Sequence, residues 1–70
     1  MDDKQKQAWD KCEALLTACK LIGVHTVGMQ SRLNLDMPVT VDMNLVESDL
    51  VDIKGCVEDL KKVLEVDSDG

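Results

Sequence analysis

Val27-Gly-Met-Gln-Ser-Arg-Leu-Asn-Leu-Asp-Met-Pro-Val-Thr-Val-Asp-Met43 is the stretch whose reading decides the fold. Its odd positions hold Val27, Met29, Leu33, Leu35, Met37, Val39, Val41 and Met43, and its even positions are polar, glycine or proline, with Ser31 the one odd-numbered break. A period of two places alternate side chains on opposite faces of an extended chain, so the stretch reads as sheet with one apolar face. It is too long for one ordinary strand of five or six residues, and a hairpin is the economical solution. For Met29 and Leu33 to share a face the loop must have an odd number of residues, such as Gln30-Ser31-Arg32, because an even loop shifts the register by one. Pro38 cannot donate to a ladder, so its strand is an edge or its nitrogen faces outward.

A rival reading crosses the same stretch. Val39, Met43, Val46, Leu50, Ile53, Val57, Leu60 and Leu64 are spaced alternately four and three, so a helix could begin at Pro38 with Asp36 before it. The β-branched run Val39-Thr40-Val41 disfavours that start. Asn44, followed three residues later by Glu47, offers a better cap, and the boundary is placed there.

Working outward, residues 3–22 form a helix in this reading. Ala8, Trp9, Cys12, Leu15, Leu16, Cys19 and Ile22 recur at three and four, giving one apolar stripe. Asp2 or Asp3 caps its start, Gln5 completes a capping box with Asp2, and Gly23 is its left-handed stop. A second helix spans residues 45–65, with Val46, Leu50, Ile53, Val57, Leu60 and Leu64 as its seam and Glu58–Lys62 as an i,i+4 pair. Residues 66–70 form a frayed tail. The expected fold is a single α+β domain over residues 1–70, an α-β-β-α unit with two helices packed on a hairpin over residues 24–43. The alternative is an all-α helical hairpin that assembles into a bundle.

Seventy residues, 44% of them apolar but only Trp9 aromatic, make a core that closes with the help of a second copy or a partner. Gly55 falls mid-helix on the side away from the seam, beside Ser48 and Val51, and this strip is a candidate oligomer contact. The net charge of −6 is uneven: residues 1–35 hold five basic and four acidic side chains, residues 36–70 three and ten. That acidic half repels phosphate backbones and argues against direct nucleic-acid binding. No run approaches a membrane span, and an odd count of three cysteines without a secretory signal points to the reducing cytoplasm.

No residue pattern calls for a metal, a cofactor or catalysis. Cys12, Cys19, Cys56 and His25 lack the knuckle spacing of a zinc site, and no nucleophile sits beside a glycine-rich turn. Two binding surfaces remain. Asp42, Glu47, Asp49, Asp52 and Asp59 offer a negative strip to a protein with a basic surface, in the manner of an inhibitor, an antitoxin or a phage-encoded accessory protein. Alternatively, the acid-free segment over residues 23–34 offers His25, Thr26, Gln30, Ser31, Arg32 and Asn34 to a nucleotide or other small anion. A third reading is a structural subunit of an oligomeric assembly. All three are non-enzymatic.

Overall fold

A computed structural model describes residues 2–64. It contains two α-helices, α1 over Asp3–Asn34 and α2 over Thr40–Leu64, and no strand among the described residues. The expected hairpin of strands over residues 24–43 is therefore overturned, and the all-helical alternative is the observed fold. The predicted end of the second helix at residue 65 and the tail over residues 66–70 lie outside the described residues.

The start of α1 follows its sequence signature. The Asp2 side chain accepts a hydrogen bond from the Gln5 backbone N–H at 2.7 Å, and the Gln5 side chain accepts one from the Asp2 N–H at 3.2 Å. This reciprocal box satisfies two donors that the first turn leaves free. Gly23, expected to stop the helix, does not. It lies on the exposed side of α1 with open space around it, and the helix runs on for three more turns. Glycine weakens a helix interior by only about 1 kcal/mol, an amount that the contacts made by His25 and Arg32 further along can exceed.

The true stop lies at Leu35-Asp36-Met37. Asp36 takes a left-handed conformation with φ 54°; the Met37 N–H donates to the Arg32 carbonyl at 2.8 Å and the Asp36 N–H to the Leu33 carbonyl at 3.2 Å. This is the Schellman arrangement, with aspartate in the place usually held by glycine and Pro38 two residues on. The odd–even alternation is thus divided among the last turns of α1, a short connection and the first turn of α2. Its period of two coincided with residues that belong to three different local structures. Helix α2 starts at Thr40, with the Met43 N–H bonded to the Val39 carbonyl at 2.9 Å, so Asn44 and Glu47 are interior rather than capping. The β-branched residues at its start are accepted because Asp42 lies in the first turn, where a carboxylate complements the positive end of the helix.

A connection this short makes the helices antiparallel neighbours. The molecule measures 50 × 26 × 15 Å, close to the length of a 32-residue helix at 1.5 Å per residue and about one layer thick. Two columns of every-seventh residues on each helix meet along the seam. Lys11, Ala18, His25 and Arg32 form one column of α1 and face Asp42, Asp49, Cys56 and Val63 of α2. Beside it, Ala8, Leu15, Ile22 and Met29 face Val46, Ile53 and Leu60, all of them half-buried. Ala18 is the one apolar residue among the described ones that is fully buried; the other buried residues are Asp42 and Asp49.

Candidate interaction surface

The polar column holds the hairpin together at three levels. Next to the connection, Arg32 Nε lies 3.1 Å from Asp42 Oδ2. One heptad along, His25 Nδ1 lies within hydrogen-bond distance of Asp49 Oδ2. Toward the open end, Lys11 Nζ donates to Asp59 Oδ2 at 3.3 Å. Lys11 reaches Asp59, one turn before Val63, because the residue directly facing it is apolar. The two carboxylates nearer the connection are almost completely removed from water, at 4% exposure for Asp42 and 5% for Asp49. Asp42 Oδ2 has an ion-pair partner at short range yet no well-angled hydrogen bond, so its attraction to Arg32 is electrostatic rather than directional. Gly28 passes close to this carboxylate: a Cβ there would stand 3.9 Å from Asp42 Oδ1, in ordinary contact.

These pairs have a geometric consequence for both helices. The apolar stripe of α2 comprises two columns, Val39-Val46-Ile53-Leu60 and Met43-Leu50-Val57-Leu64. At about 100° per residue, bringing Asp42, Asp49 and Cys56 to face α1 turns α2 by roughly 50° off the centre of that stripe. The first column enters the seam and the second is left at its edge, where Met43, Leu50 and Leu64 are exposed. Helix α1 is turned in the same way: Leu15 and Ile22 enter the seam, while Trp9, Cys12, Leu16 and Cys19 remain exposed. Because the helices are antiparallel, both displaced columns fall on the same side of the hairpin. The molecule is sided, with an ion-pair ladder along one side and an apolar face, contributed by both helices, along the other. Trp9 at 58% exposure near the open end, Leu33 at 56% near the connection and Leu50 at 53% midway along α2 mark its extent.

The expected binding residues are distributed differently from the sequence reading. Of the five carboxylates assigned to a basic partner, Asp42 and Asp49 are buried inside the hairpin and Asp59 is paired with Lys11; Glu47 and Asp52 are exposed. Of the anion-binding set, His25 and Arg32 face α2 and are paired, and the Thr26 hydroxyl donates to the Ile22 carbonyl at 2.6 Å within its own helix. Gln30, Ser31 and Asn34 are exposed around other sides of α1, so the six do not converge on one point. Ser48, Val51 and Gly55 form an exposed outward strip on α2. A shallow apolar concavity lies along α1 at Lys20, Gly23, Val24 and Val27; with all four residues on one helix, it has no opposing wall to enclose a ligand. Glu58 pairs with Lys61 at 3.9 Å, three residues on, where Lys62 was the expected partner. No group of three or more His, Cys, Asp or Glu side chains converges among the described residues.

The surface features not legible in the sequence are the Lys11–Asp59 contact and the exposure of Trp9 and Leu16. Part of the signal was present: Lys11, His25 and Arg32 share one every-seventh column of α1, interrupted by Ala18, and Asp42 and Asp49 share the facing column of α2. It is hidden because a helix stopping at Gly23 would exclude His25 and Arg32, whereas α1 continues to Asn34.

Comparison with known proteins finds no family model that matches the chain, no similar curated protein and no similar solved structure. Against the expectation that no run approaches a membrane span, helix α1 is long and apolar enough to cross a membrane, with a mean hydropathy of 1.2 over an 18-residue stretch, and it lies near the N-terminus. A bundle helix and a signal sequence meet the same criterion, so this property separates none of the three.

Proposed function

We infer that the chain is a non-enzymatic assembly module, a helical hairpin that functions by laying its apolar face on another helical surface as a subunit of a larger structure. One observation carries the reading: the hairpin uses its polar column for its own closure and leaves an apolar column from each helix on one side. A helix that needs only one neighbour has a narrow apolar seam, whereas a helix in a bundle has a wider one, adding a further heptad position. Both helices here are of the wider kind. The reading by which the acidic strip of α2 blocks a basic macromolecule has less support, since three of its five carboxylates have partners within the chain. The anion-binding reading loses its two cationic or ionisable members in the same way. Three free cysteines suit a reducing compartment such as the cytoplasm.

The test is whether the hairpin stands alone. Its described core contains one fully buried apolar residue, which is little for a cooperative fold. The reading predicts that a solitary chain, followed by circular dichroism on dilution to nanomolar concentration, loses most of its helicity. A monomer that stays helical and unfolds cooperatively at every concentration would sink it.

A further inference from the structure

We propose that the surface covering the apolar face is a second copy of this chain, and that two hairpins meet through it to close a four-helix bundle. This rests on the assembly reading above and names its partner.

Three observations lead to a second copy rather than to an unrelated chain. The first is area. The exposed parts of Trp9, Leu16, Leu33, Met43, Leu50 and Leu64 amount to roughly 600 Å², and a matching contribution from a second copy brings the total to the lower bound of a standard stable interface. The second is charge. The columns that make the face carry no charged side chain from Trp9 to Leu33 or from Met43 to Leu64. Along its rims Glu13 and Lys20 on α1, and Glu47 and Lys54 on α2, supply both signs, while Asp10, Asp52 and Asp59 point to other sides. A chain of net charge −6 can therefore meet itself here without setting acid against acid. A strongly basic partner would find its complement on the opposite side. The third is shape. The face is two antiparallel helices wide and follows the same every-seventh spacing throughout, so it is matched by another hairpin of equal length in a closed two-fold contact.

Trp9, the one aromatic residue, lies on this face and reports on it directly. In a dilution series followed by light scattering, circular dichroism and Trp9 fluorescence, the dimer, its helicity and the shielding of Trp9 from acrylamide should be lost together. Leu16→Glu and Leu50→Glu should each weaken association by roughly a thousandfold, since a two-fold axis places the charge on both sides of the contact. Val24→Glu and Val51→Glu, more exposed still but on other sides of the hairpin, should leave it within severalfold of the unaltered chain. Because a Glu substitution can also disturb folding, thiol labelling provides a second readout without one: Cys12 and Cys19 should react more slowly at dimeric than at monomeric concentrations. Association that is abolished by Val51→Glu and survives Leu50→Glu would overturn this face in favour of the Ser48–Val51–Gly55 strip. A chain that stays monomeric and poorly helical at every concentration would overturn self-association while leaving the assembly reading standing. A stably helical monomer would overturn both.

Discussion

The two ends of the hairpin use the same kind of contact in different surroundings. Near the connection, Arg32–Asp42 and His25–Asp49 each bury a carboxylate almost completely, whereas at the open end Lys11 and Asp59 keep 43% and 47% of their side chains exposed. Coulomb attraction between exposed charges is screened by water and contributes little, whereas a buried carboxylate without its partner is costly. The comparison teaches that the charged column is a register device at one end and a surface decoration at the other. The buried pairs oblige Arg32 to meet Asp42 and His25 to meet Asp49. Sliding α2 by one turn along α1 would strand both carboxylates.

The largest expected effect follows from removing the hydrogen-bond partner at the most buried level. His25→Ala leaves the Asp49 carboxylate inside the seam and should cost about 3 kcal/mol, read from urea unfolding at one fixed protein concentration. Replacing both members, His25→Leu with Asp49→Leu, should recover most of that loss, because a well-packed apolar pair avoids the desolvation of an ion pair. A double variant as unstable as the single one would show that the pair holds geometry that leucine cannot replace. Next is Arg32→Met, expected to cost about 1–3 kcal/mol, less than the histidine change because the half-exposed Arg32 site lets water reach toward Asp42. On the outward side of α2, Gly55→Ala should stabilise by about 1 kcal/mol, since the added methyl group meets open space and helix propensity improves. The smallest effect belongs to Lys11→Met, under about 1 kcal/mol and vanishing in high salt. If Lys11→Met matched His25→Ala in thermal melts, the contrast between the two ends would be wrong.

The same contrast explains where the sequence could be read and where it misled. The capping box at Asp2 and Gln5 is local, involves neighbours four residues apart at most, and was legible. So was the apolar periodicity of both helices. The helix stop was misplaced at Gly23 because glycine is a common terminator, while the residue that took the left-handed conformation, Asp36, does so less often. The alternation over Val27–Met43 was an accident of residue order, overridden by pairs formed 24 residues apart (His25–Asp49) and 10 residues apart (Arg32–Asp42). Of the candidate surface, the apolar residues themselves are legible in the sequence as stripe members; which of them stay outside the seam is not, because periodicity does not separate a stripe from the part of it that a neighbour covers.

By itself the sequence determined that this chain makes amphipathic helices with apolar stripes wide enough for two neighbours, starts the first of them at Asp2, and carries its excess acid in the second half. Only the tertiary structure decided that residues 23–34 are helix and which part of each stripe the hairpin consumes. The reason is physical: helix propensity and periodicity act over a few residues, whereas the rotation of a helix about its axis is set by what it packs against. Here that is a column of buried carboxylates that must meet their cations, and the turn they impose on each helix brings Trp9, Leu16, Met43 and Leu50 to a common outer face.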